Sequence, residues 1–294
     1  MPGVDPMSVD ILQEKIRKMK NPSMLELAMP LCDLPPQFPQ TAAGYGGFCR
    51  ELMEGLKDVM PAVRVSFAAF ALLGADGLTA LQEVLNCAAE FDYYVALDAP
   101  EVSSPMMAKM VADSILGEGS VFPCDGLIIS GYAGSDIIKP FLSYTKKAKK
   151  DVFVVARTAN KSAPELQDLL SGTRLVHAVA ADHVNRYGDG TEGKHGYTRV
   201  GILAAASSAE SLRSLRSKYP RLFFLLDGFD YPNANAKNCS FAFDKFGHGA
   251  AACGGTAIVN AWKKEESDGA DYLAHALAAT DRMKKNLTRY ITIL

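Results

Sequence analysis

Short apolar runs separated by amphipathic stretches set the rhythm of this chain. Runs at residues 24–27, 62–67, 93–97, 126–130, 152–156, 199–204, 222–226 and 257–260 are mostly Val, Ile, Leu, Phe and Ala. Continuous rather than alternating apolar character is the pattern of strands buried on both faces. Between them, residues 78–90, 105–116, 164–170, 209–218 and 240–246 read as helices, and a longer helix at about 271–287 closes the series. Strand and helix in strict alternation predict βα units around a parallel sheet. Eight such units in 294 residues predict an α/β fold of the (β/α)8 TIM-barrel type, with residues 1–294 forming one domain. Functional groups of such a barrel sit at the C-terminal ends of its strands. Gly188–Gly196, rich in glycine and charge, reads as a flexible loop before the sixth strand, and Gly247, Gly249, Gly254 and Gly255 as tight turns before the eighth.

Composition narrows the function classes. Hydrophobic residues make up 48% and charged residues 22%, which are ordinary globular values. The formal charge is −2 and no block concentrates Lys or Arg, which argues against nucleic acid, bound through clustered cations. No apolar run approaches the ~20 residues of a membrane span. Six cysteines without a Cys-x-x-Cys pair, and no charged-then-apolar leader, read as reduced thiols in a cytoplasmic protein. Asp182, His183, His195 and His248 lack metal-ligand spacing, so no metal is expected, and His177 and His275 read as structural. No nucleophile elbow or Walker loop is present.

The chemistry-bearing positions are therefore sought at the strand ends. The third strand delivers Asp98-Ala99-Pro100-Glu101-Val102-Ser103. Asp98 reads equally as a turn carboxylate or as a functional one, while Ser103-Ser104-Pro105 is a helix start. The fourth run continues Leu127-Ile128-Ile129-Ser130-Gly131-Tyr132-Ala133-Gly134-Ser135-Asp136. The fifth ends Arg157-Thr158-Ala159-Asn160 and is followed by Glu165-Leu166-Gln167-Asp168-Leu169. Together with Ile16-Arg17-Lys18-Met19-Lys20-Asn21-Pro22 before the first strand, these segments resemble the orotidine 5'-monophosphate decarboxylase family, in its longer bacterial branch, over nearly the whole chain.

That resemblance implies a cofactor-free barrel that stabilises a carbanion on a pyrimidine nucleotide with a lysine held among carboxylates. Here the pattern is broken residue by residue. The family's Asp-Ala-Lys-Arg-x-Asp keeps its first aspartate at Asp98, but the lysine position is Pro100 and the second aspartate position is Ser103. The first-strand aspartate corresponds to Ala28, the second-strand lysine to Arg64, and the serine on the pyrimidine to Ala159. Arg157, Thr158 and Asn160 remain, either as ligand contacts or as braces of their loop. In the phosphate grip after strand seven, the glutamine position is Pro232, and Asp227 and Asp230 add negative charge. After strand eight, the arginine position is assigned to Lys263, preceded by Trp262, the only tryptophan.

The resulting expectation is a non-catalytic homologue with a binding or partner role. Asp98 is its retained catalytic position, and Arg64, Arg157, Thr158, Asn160 and Lys263 are its ligand-binding candidates. Asp98, Arg64 and Lys263 are expected to point inward at one end of the barrel. The alternative is a divergent enzyme, a decarboxylase or lyase of altered chemistry, using the same pocket together with Glu101, Asp227 and Asp230. An open pocket mouth favours a site, whereas filling by Trp262, Phe67, Phe229 and Tyr231 favours a structural role. The family's shared two-fold site implies a homodimer through residues 103–110 and 131–138, or a heterodimer with an intact relative.

Overall fold

A computed structural model describes residues 8–231, 233–264 and 267–294. Eight parallel strands close into a barrel. They are β1 (Ser23–Leu27), β2 (Ala62–Ser66), β3 (Tyr94–Asp98), β4 (Gly126–Ser130), β5 (Asp151–Val155), β6 (Thr198–Ala205), β7 (Leu222–Asp227) and β8 (Ala250–Gly254). Each pairs with its neighbour in sequence, and β8 returns to β1 with Ser23 opposite Ala252. Around them lie α1 (Val9–Met19), α2 (Ala42–Leu56), α3 (Gly74–Glu90), α4 (Pro105–Leu116), α5 (Ser135–Lys147), α6 (Val176–Gly188), α7 (Ala209–Lys218) and α8 (Tyr272–Thr288).

Local sequence explains some of these boundaries. Ser104 caps α4, its hydroxyl accepting from the Met107 amide at 3.2 Å, and Pro105 opens the helix without needing a donor. Thr41 caps α2 in the same way through the Gly44 amide. Helix α1 buries Val9, Leu12 and Ile16, an i, i+3, i+7 stripe that seals the N-terminal end of the barrel.

Seven expected strands fall within a residue of those observed, but the eighth does not. Residues 257–260 are not a strand: Thr256–Val259 is a short helix, and β8 lies upstream at Ala250–Gly254. Ala-Ala-Ala-Cys-Gly carries no β-branched side chain, so propensity does not mark it. Its pairing with β7 and β1 fixes it as a strand. Gly254 consequently ends the strand and Gly255 follows it, rather than the two preceding it. The helix expected at 240–246 is replaced by Ala236–Ser240, capped by the Asn235 side chain on the Asn238 amide. The loop at Gly188–Gly196 is irregular as expected, and the Asp10 carboxylate ties it to α1 through the amides of Lys194 and His195.

The two ends of the barrel differ in chemistry. At the N-terminal end, Arg216 is buried and donates to the carbonyls of Ala242, Pro220, Leu222 and Gly249, with its guanidinium 3.9 Å from the Phe224 ring. These contacts tie α7 to the starts of β7 and β8. The C-terminal end holds a ring of charge.

Candidate functional site

Arg64 is the centre of that ring. It lies in β2 directly opposite Glu26 of β1, and both side chains are largely buried. Its Nη1 is 3.1 Å from Glu26 Oε1 and 2.6 Å from Asp227 Oδ1 at the end of β7. Its Nη2 and Nε reach Asp98 Oδ2, at the end of β3, at 2.5 and 3.1 Å. One guanidinium thus serves three carboxylates from three strands.

That imbalance shapes the local protonation. Burial pushes Glu26 up to about 7, with Arg64 opposing the rise and Asp227 and Asp98 adding to it. Burial also raises Asp98, against the pull of Arg64. Burial opposes the charge on Arg64, but Glu26, Asp98 and Asp227 hold it well above its ordinary value. The asymmetry follows from sharing: the cation has several counter-charges, while each acid has a fraction of one cation.

A cavity of about 210 Å³ opens beside this cluster, lined by Glu26, Asp227, Asp230, Phe229, Tyr231 and Met29, among others. The mouth is open. Phe229 and Tyr231 form its wall, whereas Trp262 and Phe67 do not line it. Asp230, in the turn after β7, extends one oxygen to the start of the short helix after β8. Its Oδ2 accepts from the Gly255 amide at 2.9 Å, the Ala257 amide at 3.1 Å and the Thr256 hydroxyl at 3.3 Å.

The remaining candidates separate from this centre. Arg157 is fastened by Asp168 through a bidentate pair at 3.0 and 2.8 Å, and His177 Nδ1 joins the same carboxylate at 3.1 Å. The Arg157 hydrogen bonds hold Asp168 below its usual range, against the opposing effect of burial. The Thr158 amide donates to Gln167, whose side-chain amide donates back to the Thr158 hydroxyl, which donates to Asn160. These residues brace the loop after β5 and also edge a second, wider cavity of about 660 Å³, where Arg157 and Asn160 meet Ser207, Ser208 and Tyr231.

Lys263 lies beyond the short helix that follows β8 and pairs with Asp33 at 2.6 Å, next to Asn260 on the same carboxylate. It is therefore turned toward the segment after β1 and does not line the cavity beside Arg64. With β8 ending at Gly254, the residues directly after that strand are Gly255, Thr256 and Ala257, none of them cationic. The expectation that Lys263 joins Asp98 and Arg64 is therefore not met. Pro100 is half-buried, Ser103 exposed, and Ala28 borders the 210 Å³ cavity. Pro232 lies outside the described residues.

Glu26 is the member of the cluster that sequence reasoning missed. The signal was a lone acid inside the buried run Met24-Leu25-Glu26-Leu27, matched by a lone Arg64 inside the next strand. Charges in buried strands need partners.

Among the described residues, no group of three or more His, Cys, Asp and Glu is arranged to hold a metal ion. No described helix is long and apolar enough to cross a membrane.

An orotidine 5'-phosphate decarboxylase of Clostridium perfringens is 30% identical over 222 residues, covering 75% of this chain and 76% of that protein. The chain belongs to the orotidine 5'-phosphate decarboxylase family. The enzyme of the same name from Rhodopirellula baltica is 29% identical over 254 residues, 84% of each chain. Among solved structures, the Leishmania donovani OMP decarboxylase superposes with a TM-score of 0.77 at 24% identity, over 97% of this chain and 99% of that one, which supports the shared barrel. No family model matches the sequence. Arg64 of β2 and Asp98 of β3 bond to each other.

Proposed function

We propose that this chain is a non-catalytic member of the orotidine 5'-phosphate decarboxylase family, a single cytoplasmic barrel domain kept for a binding or partner role. The observation that carries the reading is the commitment of its cations. Arg64, Arg157 and Lys263 are each held by carboxylates of the chain itself. Stabilising a carbanion calls for a positive group aimed at the developing charge, and losing one such donor typically costs ~3–4 kcal/mol in the barrier. The lysine that supplies it in the family is Pro100, which has no cation and no transferable proton. The open cavity favours a bound small molecule over a purely structural role.

Purified protein is expected to leave orotidine 5'-monophosphate unchanged when ring absorbance is followed over time. Pro100→Lys alone is expected not to restore turnover, because catalytic groups that act as a unit gain little from one returned member. Turnover by the unaltered protein comparable with that of its relatives refutes the reading.

One observation favours a second reading, a divergent enzyme. Glu26, held at about 7 at the edge of an open cavity, suits general acid–base work near neutral pH.

For assembly, we propose a homodimer through residues 103–110 and 131–138, with a heterodimer including an intact relative as the variant. Met106, Met107 and Met110 stand 70%, 43% and 55% exposed on α4, and adaptable methionine surface suits such a contact. Light scattering is expected to give twice the chain mass. A monomer at every concentration, alone and with the relative, refutes both forms.

A further inference from the structure

Away from the Arg64 cluster, three side chains from three segments form one hydrogen-bonded line. His177, in the first turn of α6, is buried, and its Nδ1 faces the Gln167 carbonyl at 3.0 Å and Asp168 Oδ1 at 3.1 Å. On the other side of the ring, Nε2 is 3.1 Å from the hydroxyl of Ser211, in the first turn of α7. The neighbours fix the tautomer. A carbonyl and an ionised carboxylate only accept, so the neutral ring carries its proton on Nδ1. The Arg157 hydrogen bonds keep Asp168 in that ionised form. Nε2 is left with its lone pair, and the Ser211 hydroxyl donates to it.

A hydroxyl beside a base that a third group orients is the arrangement of an activated nucleophile, recognised by geometry rather than by position in the chain. Two features of the surroundings suit that chemistry. Helix α7 starts without a side-chain cap, and its first helical bond runs from the Leu212 amide to the Ser208 carbonyl at 3.0 Å. The amides of Glu210 and Ser211, in the same turn as the hydroxyl, therefore have no helical partner, and preorganised amides stabilise a developing oxyanion. Space for a substrate lies one turn away. Ser207 and Ser208, directly before α7, edge the 660 Å³ cavity together with Arg157, the residue that holds Asp168. Ser211 itself is half-buried, so it keeps some surface in contact with solvent.

We propose that Ser211 and His177, with Asp168 as a positioning residue, form a nucleophile–base pair that hydrolyses carboxylic esters entering from the 660 Å³ cavity. His177 Nε2 takes the Ser211 proton as Oγ bonds to the ester carbonyl carbon. The bond from that carbon to the alcohol oxygen then breaks, and the alcohol leaves with the proton. Water completes the cycle: it gives a proton to Nε2 as its oxygen bonds to the acyl carbon. That proton returns to Oγ as the acyl–serine bond breaks and the carboxylic acid departs. The Arg64 cluster takes no part in these steps, so the decarboxylase assay and the tests below succeed or fail independently.

The probes are diisopropyl fluorophosphate and p-nitrophenyl acetate. The first is expected to add one diisopropylphosphoryl group with loss of fluoride, mapped by peptide mass spectrometry to Ser211 and absent from Ser211→Ala. Release of p-nitrophenolate from the second is expected to fall about a hundredfold in Ser211→Ala and in His177→Asn. Asparagine keeps a donor near the Nδ1 position but has no base at the Nε2 position, so it separates a base from a bridge between helices. No adduct at Ser211, ester hydrolysis that survives Ser211→Ala, or a His177→Asn variant that reacts like the unaltered protein overturns the proposal. Nitrogen NMR of the His177 ring gives a second reading that holds even where the asparagine variant does not fold. The proton is expected on Nδ1 in the unaltered protein and on Nε2 in Asp168→Asn, whose amide donates to Nδ1, with labelling slowed about a hundredfold. A proton on Nε2 in the unaltered protein, or one that stays on Nδ1 in Asp168→Asn, overturns the positioning and the proposal with it.

Discussion

Replacing Glu26 with glutamine isolates the effect that dominates the charged cluster. Glu26 faces a guanidinium at 3.1 Å, yet burial raises its pKa from 4.5 to about 7. The folded state therefore holds a proton that the unfolded chain releases. The stability linked to that proton is fully present below pH 4.5 and is lost as pH rises through about 7. At ~1.4 kcal/mol per pH unit, the full loss is roughly 3 kcal/mol. Glutamine resembles the protonated acid and retains an oxygen for Arg64 Nη1, so Glu26→Gln removes this titration. The variant is expected to match the original near pH 5 and to exceed it by ~1–3 kcal/mol at pH 8. Asp98 remains in both proteins and is raised in the same direction, so some decline with pH persists. Urea unfolding at several pH values, read by the fluorescence of the buried Trp262 and by circular dichroism, gives the difference from the midpoints at unchanged slope. A variant that is less stable than the original at pH 8, or two curves that run parallel, refutes the reasoning: attraction to Arg64 then outweighs the cost of burial.

Other substitutions probe the frame that holds the site. Arg216→Met leaves the carbonyls of Ala242, Leu222 and Gly249 without their buried donor, so a loss of about 3 kcal/mol or more is expected in the same urea assay. Gly228→Ala is expected to cost ~1–3 kcal/mol, because φ is +71° and the new Cβ meets the Ala159 Cβ at 2.3 Å and the Tyr231 ring at 2.5 Å; thermal unfolding measures it.

Much of this protein was legible one residue at a time. The alternation of buried runs with amphipathic stretches marks seven of the eight strands and a parallel sheet with helices outside it, since each run must be covered on both faces. Arg64 and Asp98 were found at their strand ends, and the break at Pro100 was visible without coordinates. The bracing of Arg157 was partly legible too, because its partner Asp168 lies only eleven residues away. Three things were decided only in three dimensions. Strand β8, built from alanine, cysteine and glycine, takes its conformation from the ladders on either side rather than from its own side chains. Lys263 turns to Asp33, 230 residues earlier, because closure of the barrel brings the segments after β1 and β8 together. The charge balance of the site arises because β1, β2, β3 and β7 come together at one end of the barrel, where three acids meet one arginine. Periodicity along a chain reports which side chains are buried, while the energy of a buried charge depends on which other charges the fold sets beside it.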